Sequence, residues 1–199
     1  MKVAISAVAA GLALAMALPA QADQGDWLAR GRLLQIRPSV SSTTGTLGVS
    51  NEVVPELDFT YFLTNNIAAE LILGTSRHTV TASGASLGKV SLLPPTLTLQ
   101  YHFSPKETLR PYVGLGVNYT RFYSASLYLG TTPLNVDNSS FGGSLQAGFD
   151  YALDKKWFLN FDVKKIYIKT DVTNATTGAF VSQLKIDPVV VGIGVGLKF

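Results

Sequence analysis

Few residues in this 199-residue chain are equipped to do chemistry. Two histidines and no cysteine are present, so a disulfide framework and a thiolate metal site are excluded, and neither metal nor cofactor is expected. His102 and Ser104 stand two apart, a spacing that puts a base and a hydroxyl on one side of a strand. A catalytic base also needs a positioned partner and a reachable substrate, and nothing around this pair supplies either. No catalytic residue is assigned: His102 reads as a hydrogen-bonding residue and His78 as the edge of a loop. The remaining candidates are charged: Arg30, Arg32, Glu56, Asp58, Glu70, Asp150, Asp162 and Lys164. Each sits in a stretch of two-residue periodicity, and parity turns all eight, with His102, to the same side as one another.

The elements that must position them are strands. The last stretch, Pro188 to Phe199, places Val189, Val191, Ile193, Val195, Leu197 and Phe199 on one face and Gly192, Gly194 and Gly196 on the other. A closed barrel with lipid outside and a cramped lumen inside explains both faces. At the other end, Lys2 precedes an uncharged run from Val3 to Ala22 that closes on Ala20-Gln21-Ala22. That pattern reads as a signal peptide, 1–22, cut after Ala22, with a membrane-anchoring helix as the alternative. Cleavage would leave residues 23–199 as one domain with 15 basic and 13 acidic residues, a balance that argues against nucleic acid as a partner.

Strands are expected near 26–36, 52–63, 67–78, 92–103, 110–122, 140–152, 157–170 and 183–199, which makes eight. Short polar turns at 64–66, 104–109 and 154–156 alternate with long stretches at 37–51, 79–91, 123–139 and 171–182. Short turns are periplasmic and long loops extracellular in such barrels. The expected fold is therefore all-β: an eight-stranded antiparallel transmembrane barrel with long extracellular loops and short periplasmic turns. Outward sets such as Leu57, Phe59, Tyr61, Leu63 and Val113, Leu115, Val117, Tyr119 carry no charge. Trp27, Tyr61, Tyr101, Phe103, Tyr151, Trp157 and Phe199 gather near the turns as an interfacial belt. A lipocalin-like soluble barrel is the structural rival, and it would need a polar exterior.

Inside, three cations face five carboxylates in the lower half of a narrow lumen, where unpaired charge is costly. A polar plug follows. It either holds the barrel together or also closes a straight water path. Above it Ile72, Pro94, Thr96, Ile166 and Ile168 are small or apolar, a lining suited to a hydrophobic solute. Pro94 and Pro95 lack backbone N–H groups and so mark either a weakened seam for lateral exit or merely the start of a strand. Asp187-Pro188 marks a second interruption, where parity would turn Asp187 outward, read as a bulge or as a position above the hydrocarbon.

Leu92-Leu93-Pro94-Pro95-Thr96-Leu97, Arg110-Pro111-Tyr112-Val113-Gly114, Gln146-Ala147-Gly148 with Asp150-Tyr151, Trp157 with Asn160, and Ile186-Asp187-Pro188 before a terminal Phe together resemble the OmpW family of outer-membrane proteins. The resemblance covers the mature chain. It implies a hydrophobic extracellular groove, a lumen closed toward the periplasm and passage of small hydrophobic molecules sideways into the membrane, as in alkane-uptake members. It also implies outer-membrane lipid, small hydrophobic solutes and the barrel assembly machinery as partners, the last through Phe199. Where members can carry a lumen Trp, this chain has Lys164. The function expected is a non-enzymatic outer-membrane channel for small hydrophobic molecules. The alternatives are a structural barrel whose loops bind partners and a narrow channel for polar solutes.

Overall fold

The computed structural model describes residues 23–199, so the signal-peptide reading of 1–22 lies outside the described residues. In chain order the strands are β1 (Trp27–Arg37), β2 (Ser41–Ser42), β3 (Leu47–Val49), β4 (Glu52–Phe62), β5 (Ile67–Gly74), β6 (Ser76–Ala82), β7 (Ala85–Leu93) and β8 (Thr96–His102). They continue as β9 (Leu109–Leu129), β10 (Thr132–Val136), β11 (Ser139–Ala152), β12 (Trp157–Ile166), β13 (Lys169–Asn174), β14 (Phe180–Lys185) and β15 (Val189–Lys198).

Eight of these, in the order β11-β12-β15-β1-β4-β5-β8-β9, form a ring that closes when β9 pairs with β11. All ring pairings are antiparallel, and first and last strands meet in register from Leu28↔Lys198 to Arg37↔Val189. Phe199 extends that seam, exchanging backbone hydrogen bonds with Trp27 at 3.0 and 3.1 Å. Closure leaves no free edge, as a lipid environment requires. Within the ring every strand turns its even-numbered residues inward; beyond Ser124, whose φ is 49°, the alternation of β9 reverses and Leu127 is buried. The odd-numbered set is mostly apolar and exposed, including Leu33, Leu97, Leu115, Leu145 and Ile193, with Arg37, Arg121 and Lys165 only toward the hairpin end. Seven interfacial aromatics gather at the turn end as expected; Tyr123, Phe141, Tyr167 and Phe180, all exposed, form a second belt nearer the opposite end.

The inward glycines of β15 are not empty space. A Cβ on Gly196 would strike the Phe158 ring, and one on Gly194 would strike Gly31 O and the Arg32 side chain. These glycines make room for large lumen residues carried by the flanking strands.

Of the four stretches expected to be loops, 79–91, 123–139 and 171–182 are largely strand, and 37–51 contains two short strands. Hairpins β6-β7, β9-β10 and β13-β14, with β2 and β3, stand on the ring and extend its wall through the pairings β3·β6, β7·β9, β10·β13 and β14·β2. Their Ser, Thr and Gly content reads as loop, yet Val80, Val90, Leu127, Leu134, Val172 and Leu184 alternate with it and are buried. Threonine is itself a strand former, and the paired hairpins satisfy one another's backbones.

Continuous strands expected at 67–78, 92–103, 157–170 and 183–199 are each broken in two where ring meets extension, while the one expected at 110–122 runs on to Leu129. Pro94-Pro95 causes one break by removing two donors. At another, Asp187 adopts a positive φ of 33° rather than forming a simple bulge, and its side chain accepts the Ile168 N–H at 3.0 Å.

Candidate functional site: a plugged lumen beneath an apolar shaft

Strand β1 carries the centre of the plug. Arg30 reaches Asp58 at 3.0 Å, Asp150 at 2.9 Å and Glu70 at 3.4 Å, and also donates to Thr60 Oγ1 at 2.7 Å. Arg32 meets Glu56 and Asp58, each at 2.7 Å, Glu70 at 3.0 Å and Asp162 at 3.7 Å. Lys164 on β12 reaches both Glu56 at 2.9 Å and Asp162 at 3.1 Å. All eight charged candidates are thus one buried network. Two arginines two residues apart on β1 can do this because β4, its partner, sets Asp58 opposite Arg30 and Glu56 opposite Arg32.

Sequence reasoning missed the neutral members. Gln146 donates to Glu70 and Asp162, both at 2.8 Å, Tyr112 to Asp162 at 3.0 Å, and Asn160 to Asp150 at 2.8 Å. All three are even-numbered inward residues, so parity was the signal that could have found them. They supply donors to a set in which carboxylates outnumber cations, five against three. His102 lies in the same layer without joining an ion pair: Nε2 is 3.1 Å from Gln100 Oε1, and the ring packs between Phe62 and Tyr112.

Above this floor the lumen turns apolar. A cavity of about 40 Å³ is lined by Ile72, Pro94, Thr96 and Ile166, with Lys164 and Glu56 also on its wall. Four of the six expected groove residues are therefore together. Ile168 instead packs in the adjoining apolar cluster, and Pro95 is half-buried beside Pro94 without lining the space. Beyond lies a larger cavity of about 250 Å³, lined by residues such as Val80, Val90, Leu92, Phe122, Leu127 and Val172. One apolar cluster, containing Leu34, Ile166 and Val190 from the lower space and Val80, Leu127 and Val172 from the upper, runs through both. His78 is not a loop edge. It is buried on this wall, with Nδ1 2.8 Å from Ser50 O and Nε2 2.9 Å from Ser76 Oγ.

The wall beside the lower cavity is incomplete. Strands β5 and β8 pair up to Ile72↔Thr96, and β6 and β7 resume in the same register at Ser76↔Leu92. Between them, 73–75 and 93–95 carry no ladder pairing with each other. On the other side β4 and β5 pair up to Glu56↔Gly74, and the next ladder contact is that of β3 with β6 at Val49↔Val80. Thr75 therefore lacks a ladder partner on both sides. Its hydroxyl bonds Leu92 O at 3.1 Å and lies 2.6 Å from Tyr123 OH on the outer surface.

A closed ring of eight strands, an apolar outer belt and a charged, filled lumen define an outer-membrane β-barrel. The sequence model of the OmpW family matches residues 23–199, and the chain belongs to that family. It is similar to an uncharacterised outer-membrane protein, y4mB, of Sinorhizobium fredii, with 45% identity over 85% of this chain and 76% of that one. It is also similar to outer membrane protein W of Vibrio cholerae, with 34% identity over the full length of both. A more distant relative, the dibenzothiophene metabolism operon protein PahQ of Pseudomonas aeruginosa, is 26% identical over 92% of this chain and 93% of its own. Among solved structures, the outer membrane protein OprG from Pseudomonas aeruginosa superposes with a TM-score of 0.78 at 27% identity, covering 92% of this chain and 99% of that one.

Proposed function

We propose that this barrel is a passive channel that admits small hydrophobic molecules from outside the cell and releases them sideways into the membrane. In this reading the extended hairpins face outward and the short turns face the periplasm, as in other barrels of this kind. A solute enters the upper cavity, whose lining is mostly apolar, with few hydrogen-bonding groups such as Thr170 and Ser182, and so selects against polar molecules. Descending, it meets Lys164, Glu56 and the network below. Continuing axially would require displacing ion pairs in a buried setting, which costs several kcal/mol per uncompensated ion, order of magnitude.

The observation that carries the proposal is the position of the break in the wall. The wall loses its ladder on both flanks of Thr75 at the height where the shaft meets its charged floor, between Pro94 and Glu56. Outside that break the surface is apolar, with Leu71, Leu73, Leu93 and Leu97 exposed. A hydrophobic molecule gains by moving from shaft to lipid and by nothing else on offer. The name of PahQ ties that relative to the metabolism of dibenzothiophene, a hydrophobic aromatic, which agrees with the solute class.

A disulfide lock tests it. Thr75 and Leu93 are exposed and would be register partners across the break, and the chain has no cysteine of its own. In Thr75→Cys/Leu93→Cys, hydrophobe uptake should fall on oxidation and recover on reduction. Uptake that ignores the redox state of a quantitatively formed bridge would remove the lateral route. Entry of a polar solute of the same size, changing in step with the bridge, would favour a polar channel instead.

A further inference from the structure

We infer that the outward face where β11, β12 and β15 meet the hairpin β13-β14 holds the phosphorylated headgroup of an outer-leaflet glycolipid, lipid A, with an acyl chain lying along β12, β15 and β1 beneath. Lys169 and Lys185 are direct register partners, and both are exposed. Like charges set directly opposite each other on a sheet are destabilising unless an anion lies between them. Neither lysine makes an ion pair or a side-chain hydrogen bond among the described residues. Two more cations border them: Lys165 and Arg37 flank Val189 from either side in register. The Lys165 ammonium donates to the Asp187 backbone carbonyl and the Arg37 guanidinium to Gln35 at 2.8 Å, so neither is neutralised. Asp187 is the one carboxylate in the groove, and one of its oxygens already accepts the Ile168 N–H.

The shape agrees with the charge. An open groove of about 290 Å³ is floored by Gly142 and bordered by Phe141, Tyr167, Lys169, Lys185 and Asp187. Turnward along β15, a second groove of about 330 Å³ runs over the apolar Leu33, Val53, Phe161, Val191 and Ile193, with Gln35 its one polar side chain. Four cations above an apolar trough match a phosphate above a hydrocarbon chain. Lysine is suited to this role as a point charge for phosphate. Where the ring breaks between Ile166 and Ile168, ladder pairing gives way to isolated backbone bonds, Ile166 N–H to Pro188 O at 3.1 Å and Ile186 N–H to Ile168 O at 2.8 Å, and a bound lipid would brace that junction.

The site requires that the hairpin end face outward, which belongs to the preceding reading, but it does not require transport. The test is therefore direct binding. Purified protein in a neutral detergent is titrated with hexa-acyl lipid A carrying both phosphates, with its dephosphorylated form, and with phosphatidylglycerol, and bound lipid is counted by native mass spectrometry. Lys169→Gln/Lys185→Gln should weaken lipid A binding roughly thirtyfold, about fivefold per cation near an anionic lipid. Lys155→Gln/Lys156→Gln, which removes the same charge at the turn end, should leave it unchanged. Heat-modified gel mobility confirms that both variants keep the barrel. Equal losses in the two variants, or equal binding of the dephosphorylated lipid, would overturn the site. Tighter binding of phosphatidylglycerol than of lipid A would show a phosphate site for the other leaflet's lipid and would also overturn it.

Discussion

At the scale of single residues, the plug divides into members that are replaceable and members that are not. Arg30 touches three carboxylates and a threonine, all buried. Arg30→Met would leave Asp150 with Asn160 as its remaining close donor. Breaking a buried pair by removing one partner costs about 3–5 kcal/mol, so urea unfolding in vesicles should show a loss of that size. Lys164→Met should cost less than half as much, because Glu56 keeps Arg32 and Asp162 keeps Tyr112 and Gln146. An equal loss in both variants would contradict the division. Outside the membrane the sign of a pH effect is fixed by one turn. The backbone N–H groups of Trp157 and Lys156 hold the Asp154 carboxyl below its ordinary value of 3.8. A carboxylate with a lowered folded-state pKa stabilises above its unfolded pKa and loses that contribution as pH falls through the folded one. Amide exchange at Trp157 and Lys156 should therefore be pH-independent near neutrality, beyond the intrinsic rate, and accelerate only below about 3.8.

At the scale of elements, the break around Thr75 is held by a bond on its outer side. Tyr123 OH lies 2.6 Å from the Thr75 hydroxyl, reaching across the break from β9, the strand beyond β7 and β8. If lateral passage needs this bond to part, Tyr123→Phe removes a net contribution of about 1 kcal/mol and should speed hydrophobe entry by up to roughly fivefold. Slower entry would make Tyr123 part of the path rather than its latch. Glycine positions give a second contrast on adjacent strands. Gly31 of β1 faces open space, whereas a Cβ at Gly196 of β15 would displace the buried Phe158 ring. Gly196→Ala should cost about 1–3 kcal/mol by overpacking and Gly31→Ala nothing measurable, read as shifts in the same urea transitions.

Those elements also show what could be read from the chain alone. Parity put Arg30, Glu56, Asp162 and Lys164 on one side because a two-residue repeat needs no knowledge of neighbours. Which of them meet was not legible, since Lys164 and Glu56 lie 108 residues apart and are joined through strand order and tilt. The upper cavity was missed for a different reason. Val80, Val90, Leu127 and Val172 stand among Ser, Thr and Gly, and composition alone cannot tell a paired hairpin from a loop. Pro94-Pro95 was legible as an interruption. That Thr75 loses pairing on its other flank as well follows from β3 leaving β4 to pair with β6, which no local pattern announces.

At the scale of the whole molecule, shaft and break are proposed to act in series, and series paths have a testable arithmetic. An indole at Val90, on the wall of the 250 Å³ cavity, would occupy much of that space without touching the plug or the break. Val90→Trp should therefore lower hydrophobe uptake about tenfold, an expectation that scales with how much of a pocket of ordinary ligand size is filled. The oxidised Thr75→Cys/Leu93→Cys bridge should lower it by acting at the other end. If every molecule crosses both points, the two blocks oppose the same flux, and the slower step sets the rate. Combining them should then reduce uptake no further than the stronger block alone, apart from a background shared with cells lacking the protein. Were there two independent routes, each single block would leave the other route running, and only the double variant would reach that background. Measuring the four strains side by side, with barrel content equalised by heat-modified mobility, separates these cases. A double variant well below both singles would mean that molecules reach the membrane by a second route that does not pass both points, and uptake would then no longer be a single path through shaft and break in series.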